Sequence, residues 1–144
     1  MEKRIGREIK FIHILTSRYV TKHIKCKEKK HYSLIQIDIM EYLAEAKNNN
    51  IYQKDIEKEF ELRKSTVSGV LDTMQRNGII GRFEDEEDFR SKQIKLTEKG
   101  KRIYQGLIKE ILKMERLIAK DISKQDIEIF FKVADQIKEN LKNV

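Results

Sequence analysis

The chain has 144 residues, of which 39% are hydrophobic and 38% charged, with no proline, a net charge of +7 and a pI near 9.4. That is enough for one compact domain or one elongated helical protomer. No apolar run nears the roughly 18 residues of a bilayer span, the charged start MEKRIGREIK lacks the apolar stretch of a secretory leader, and a single cysteine excludes an internal disulfide framework.

Ile5, Ile9, Ile12, Leu15 and Tyr19 recur every three or four residues, with Phe11 and Ile14 widening the stripe. They predict a first helix over residues 4–27. A basic stretch, KCKEKKH, leads to Ser33, an N-cap candidate with Gln36 in the capping-box position. The second helix then runs to about residue 47, with Leu34, Ile37, Met40 and Leu43 inward. Asn48-Asn49-Asn50 is a turn, and residues 53–59 form a short third helix. A fourth covers residues 63–76 and stops at Asn77-Gly78, where the backbone turns left-handed.

Residues 79–83 and 93–96 read as two short strands. The polar EDEEDFRS between them is a wing rather than a tight turn. Thr97 with Glu98 and Gly100 starts a fifth helix, residues 98–119, with Ile103, Leu107, Ile111, Met114 and Ile118 spaced for burial. Ser123 caps a sixth, which carries Ile127, Phe130, Phe131, Ala134, Ile137 and Leu141. The expected fold is mainly α with a small β-hairpin wing. Residues 33–97 form a winged helix-turn-helix, and residues 1–32 and 98–144 form a helical dimerisation region.

Such an order of parts brings the fourth helix to a DNA major groove. The charge distribution is mixed. Residues 1–33 hold ten Lys/Arg against three acids and residues 98–144 eleven against eight, but residues 34–97 hold ten against thirteen. Within that acidic stretch, residues 62–82 carry Arg63, Lys64, Arg76 and Arg82 against Asp72 alone, a local patch that suits phosphates. Ser65, Thr66, Ser68 and Gly69 are small enough to let the helix sit deep, and the hydroxyls can bond base edges or phosphates. Taken alone, the same hydroxyls describe a solvated helix face with an N-cap at Ser65. Val67, Val70, Leu71 and Met74 take the opposite, packed face. Asp88, Arg90 and Lys92 are the DNA candidates of the wing.

Several residues together resemble a known family. They are Ser65-Thr66-Val67-Ser68, Leu71, Arg76-Asn77-Gly78-Ile79-Ile80-Gly81-Arg82, Asp88-Phe89-Arg90 and Leu96-Thr97-Glu98-Lys99-Gly100. In this order and spacing they resemble the MarR family of bacterial transcriptional regulators. The resemblance implies a homodimer built from the first, fifth and sixth helices, whose two-fold symmetry calls for palindromic double-stranded DNA; a repressor is the expected role, with activation left open by the sequence. It implies that Arg90 enters the minor groove while Asp88 holds its side chain; a narrow minor groove is strongly negative and attracts a guanidinium. A bare surface ion pair is the plainer reading of the same two residues. The resemblance also implies a small aromatic or anionic effector, for which His13, Arg18, Tyr42 and Tyr104 are the candidate contacts.

Glu84, Asp85, Glu86, Glu87 and Asp88 depart from what a DNA-facing loop prefers. They leave open a second reading, a winged-helix interaction module for a basic protein with weak or no DNA binding. Cys26 stands among Lys25, Lys27 and His23, which could activate a thiol, but its place at the end of the first helix favours an inert one. His13, His23 and His31 are too scattered for a metal site. No phosphate loop or nucleophile–base pair is present. The expectation is a cytoplasmic protein that is not an enzyme, with no cofactor and no metal.

Overall fold

Ser33 and Gln36 form the expected capping box. The Ser33 Oγ accepts from Gln36 N at 3.3 Å, and the Gln36 Oε1 accepts from Ser33 N at 3.0 Å. Two donors that a helix start leaves orphaned are thereby satisfied, and helix α2 (Leu34–Glu45) begins there. Before it lies α1 (Ile5–His23) and after it α3 (Gln53–Glu59) and α4 (Lys64–Arg76). The computed structural model describes residues 2–24, 31–47, 49–88 and 90–144. α1 stops at His23, short of the predicted end at residue 27, because Ile24 is already extended and turns its side chain into the core; Cys26, Asn48 and Phe89 lie outside the described residues. The chain divides into two compact units, Met1–Glu110 and Ile111–Val144.

The core of the first unit gathers Ile37, Ile39 and Met40 of α2, Ile56 of α3, Val67, Leu71 and Met74 of α4, and Ile79, Ile80 and Ile94 beyond, each at most 2% exposed. Burial of each such side chain stabilises by about 1.5–3 kcal/mol. The α2 stripe is broader than its periodicity predicts. Ile39 is fully buried, while Leu34 is only half-buried. α2 is packed on more than one face, so a three-to-four spacing alone underestimates its core.

The end of α4 is built as a left-handed stop. Gly78 has φ +73°, Gly78 N donates to Gln75 O at 3.0 Å, and Ile79 N donates to Met74 O at 2.9 Å. These bonds satisfy carbonyls that the last turn leaves free. Lys99 Nζ adds a bond to Asn77 O at 3.1 Å.

Strand β1 (Ile80–Glu84) then pairs antiparallel with β2 (Lys92–Leu96), in a register from Ile80↔Leu96 to Glu84↔Lys92. A third short stretch joins them. Tyr52 bridges Gln93, and Ile94 N donates to Ile51 O at 2.7 Å. Helix α5 (Glu98–Ile118) starts from Thr97, whose Oγ1 accepts from Gly100 N at 3.0 Å. Ile103, Leu107 and Met114 are its buried apolar side chains; of the other two residues spaced for burial, Ile111 is half-buried and Ile118 exposed.

In the second unit, α6 (Lys124–Lys142) is capped by Ser123, whose Oγ accepts from Asp126 N at 3.1 Å. No residue of α6 is buried, and Phe130, Phe131 and Leu141 are among its exposed apolar side chains. In the first unit, Ile5, Ile9, Ile12 and Leu15 of α1 are likewise at least half exposed. Among the described residues, no helix is long and apolar enough to cross a membrane.

Candidate nucleic-acid interface

Helix α4 separates its faces cleanly. Val67, Leu71 and Met74 are fully buried and Val70 is half-buried. Lys64, Ser65, Thr66, Gly69 and Arg76 are exposed, with Arg63 at the N-cap beside them. Arg63, not Ser65, is the N-cap, and its side chain makes no cap bond. The Ser65 and Thr66 side chains are therefore not used to start the helix. A Cβ at Gly69 would meet nothing within 4 Å, so the middle of this face is open.

Ser68 is the half-buried member of the set, and its Oγ accepts from Gln53 Nε2 at 2.8 Å. Gln53 thus ties the first turn of α3 to α4, and it was not among the residues expected at the site. The available clue was topological: the first turn of the leading helix of a helix-turn-helix lies against the second helix. Arg76 folds along its own helix, Nη2 donating to Thr73 Oγ1 at 3.2 Å.

Arg82 is placed differently from a free phosphate contact. From β1 its Nη1 donates to Asp72 Oδ1 at 2.7 Å and to Gln75 Oε1 at 2.9 Å, both on α4. An exposed ion pair adds little stability. Its effect here is to pair the one negative charge on the outward face of α4, which stays exposed.

The acids of the wing are not equivalent. Asp85 Oδ2 accepts a short hydrogen bond from the Tyr52 hydroxyl, and its Oδ1 accepts from Glu87 N at 3.1 Å. Asp88 Oδ1 accepts from Arg90 N at 2.9 Å, and its Oδ2 accepts from Ser91 Oγ at 3.3 Å. The bond between Asp88 and Arg90 therefore runs to the arginine main chain. Both aspartates fold the loop in the manner of side chains that mimic turns. Tyr52 holds the Asp85 carboxyl below its usual value of 3.8, with the Glu87 N–H next in effect, and the same bond raises the Tyr52 phenol. A depressed carboxyl stabilises the folded wing above its unfolded pKa and loses that contribution as pH falls through the lowered one. The bond is accordingly intact at neutral pH.

Glu84, Glu86 and Glu87 remain as exposed charge, with Arg90 and Lys92 exposed near them. Changing Glu86 and Glu87 to Gln should raise DNA affinity at low salt, with a gain that shrinks as salt screens the repulsion. Titration of one DNA duplex at two salt concentrations measures it. An unchanged or lower affinity at low salt means that the wing tip stays away from phosphates.

The four expected effector contacts do not come together. His13 and Arg18 share a shallow groove of about 420 Å³ on α1 with Ile14, Ser17, Thr21 and Lys22. Tyr104 lines a cleft of about 590 Å³ bounded by the end of α2, β2 and the start of α5. Tyr42 packs edge-on against Phe60 at 5.8 Å. Burial raises the Tyr104 phenol, followed by Glu41 and Glu45; burial raises that of Tyr42, followed by Asp55 and Glu59. Carboxylates near both tyrosines oppose an anionic ligand there.

Comparison with known proteins agrees with this architecture. Residues 17–113 match the family model described as the ArnR1-like, winged-helix domain. The HTH-type transcriptional repressor YetL of Bacillus subtilis (strain 168) is 29% identical over 104 residues, which are 72% of this chain and 62% of YetL. The chain spans less than two thirds of the length of the curated relatives it matches. A Staphylococcus aureus MepR–DNA complex superposes with a TM-score of 0.86 at 21% identity, over 97% of this chain and 99% of MepR. The transcription regulator MarR of Oenococcus oeni PSU-1 gives 0.75 at 22% identity, over 94% of this chain and 99% of that one. The fold is thus the one found in MarR-family structures, as the motif order in the sequence implies. With the family match running from the second half of α1 into α5, through every element of the helix-turn-helix and its wing, the chain belongs to the ArnR1-like winged-helix family.

Proposed function

We propose that the chain is a sequence-specific DNA-binding transcriptional regulator, a repressor that acts as a homodimer on a palindromic operator. The observation that carries this reading is the outward face of α4. It presents two hydroxyls, an open glycine and the cations Lys64 and Arg76, with its one acid paired to Arg82. A helix of this kind fits the major groove, where Ser and Thr bond base edges and cations meet phosphates. MepR, solved on DNA, shares the fold and supports the reading. Residues 33–97 are the DNA-reading part, with Arg63, Lys64, Ser65, Thr66, Ser68, Gly69 and Arg76 on the helix and Arg90 and Lys92 on the wing. Asp88 and Arg82 act by holding their neighbours.

The exposed apolar faces of α1 and α6 support dimerisation through residues 1–32 and 98–144, since isologous pairing covers both. Ile9, Ile12, Ile111, Phe130, Ile137 and Leu141 are the proposed contacts. Release by a small molecule belongs to the same reading, and the cleft beside Tyr104 offers a space of about 590 Å³ for one.

The test is a gel shift with DNA from upstream of the protein's own gene. The expected outcome is preference for an inverted repeat with half-sites about one turn, ~34 Å, apart. Affinity should fall ~10³-fold or more between ~50 and ~200 mM salt. Binding indifferent to salt, or equally tight on a single half-site, refutes the reading. The exposed Glu84, Glu86 and Glu87 favour a second one, docking of a basic protein, which a chain that binds no DNA would bring forward.

A further inference from the structure

Tyr52 occupies the junction that precedes α3, 33 residues from its hydrogen-bond partner Asp85. Its main chain is fixed to the body. Tyr52 N donates to Asp55 Oδ2 at 2.8 Å, at the start of α3, and its neighbour Ile51 accepts from Ile94 N at 2.7 Å. Its hydroxyl reaches the residue that follows β1, donating to Asp85. Asp85 passes the connection on. Its Oδ1 holds Glu87 N, its own N donates to Ser91 O at 3.3 Å, Ser91 N donates to Asp88 O at 3.1 Å, and Asp88 Oδ1 holds Arg90 N. One continuous series of bonds thus runs from the helical body to the main chain of Arg90.

We infer that Tyr52 is a positioning residue for the wing: through its bond to Asp85 it holds the main chain at Asp85, Glu87, Asp88, Arg90 and Ser91 in the bonded form described and so fixes where the Arg90 main chain is presented. The role rests on the DNA-reading assignment proposed above. A loop that continues the sheet beyond its last pair, Glu84↔Lys92, by main-chain bonds alone would sample more forms, and a guanidinium meant for a narrow groove loses affinity with each of them. The choice of residue types fits the task. A phenol is long and rigid, so it spans from the junction to the wing with two side-chain torsions fixed, and it donates one directional bond. A carboxylate can accept that bond and a main-chain N–H at once. Asp85 is therefore an acid kept for its acceptor geometry, unlike the exposed Glu86 and Glu87.

The test uses the full chain with four substitutions: Tyr52→Phe, Asp85→Ala, Asp85→Asn and Arg90→Ala. Tyr52→Phe keeps the ring and its packing, so the melting temperature should stay close to that of the unmodified protein. Main-chain amide exchange at Asp85, Glu87, Arg90 and Ser91 should quicken about tenfold or more in Tyr52→Phe and Asp85→Ala. In Asp85→Asn the single amide oxygen can keep only the bond from Glu87 N while the amide NH2 turns to donate to the Tyr52 oxygen, so exchange should quicken less than in Asp85→Ala. On an operator with A·T-rich flanks, Tyr52→Phe should weaken binding roughly fivefold. In an Arg90→Ala background it should cost nothing more, because the residue it positions is gone. Unchanged exchange in Tyr52→Phe overturns the inference, and so do losses that simply add to those of Arg90→Ala. An unmodified chain that binds no DNA overturns the regulator reading and the role of Arg90 with it, while the exchange rates still decide whether Tyr52 holds the loop.

Discussion

Gly100→Ala should destabilise the protein by about 3 kcal/mol, at the upper end of the cost of overpacking. A Cβ at this position would lie 2.1 Å from Ile79 O and 3.1 Å from Leu96 Cδ2. The first of these is main chain and cannot swing aside. The start of α5 would have to lift off the turn that ends α4, straining Thr97 N→Ile79 O at 3.0 Å and the bonds from Thr97 Oγ1 to Gly78 O and Ile79 O. Calorimetry should show a melting temperature lower by roughly 10 °C for a chain of this size. Gly106→Ala in the same helix is the control. Nothing lies within 4 Å of its Cβ, and alanine is the better helix former, so stability should hold or rise. A Gly100→Ala protein that melts within about 2 °C of the unmodified one would mean that the helix shifts without cost. The close approach also supplies a physical reason for the Leu-Thr-x-x-Gly spacing: the threonine caps α5 and the glycine lets it touch Ile79.

The second large effect concerns assembly. Phe130→Asp combined with Leu141→Asp should convert the proposed dimer to a monomer and lower operator affinity ~100-fold or more. Two linked recognition helices bind with an effective concentration that a lone one lacks. Both side chains are well exposed, at 58% and 73%, so the substitutions should leave the protomer folded. Sedimentation and a titration on the inverted repeat provide the measurement. A dimer that survives both charges, with affinity unchanged, would place the interface elsewhere.

Local signals in the sequence carried most of the fold. Ser33 with Gln36, Ser123 and Asn77-Gly78 each act within a few residues, and each marks an observed helix boundary. α3 covers Gln53–Glu59 as expected, and the strands run one residue further into the wing than expected. What was not legible joins distant positions. Tyr52 and Asp85 are 33 residues apart and Gln53 and Ser68 15, and no periodicity relates them. Arg82 counts as a DNA cation in any tally of charge, yet ten residues away Asp72 engages it. The α1 stripe of Ile5, Ile9, Ile12 and Leu15 was legible as apolar, but periodicity cannot tell a face buried in its own protomer from one left for a partner.

On the proposed role of Tyr52, the described residues of the wing are held in their bonded form before any partner arrives. Asp85, Glu87, Arg90 and Ser91 all have their main-chain N–H groups bonded within the loop. Loops that order only on contact lose conformational entropy at that moment and must reach a rare form first. Here that entropy is lost during folding. Encounter with a duplex should therefore proceed without a slow ordering step, at a rate governed by diffusion and charge. The same arrangement narrows what the wing can accept: a groove of the wrong width meets an arginine that can adjust through its side chain but not through its bonded main chain.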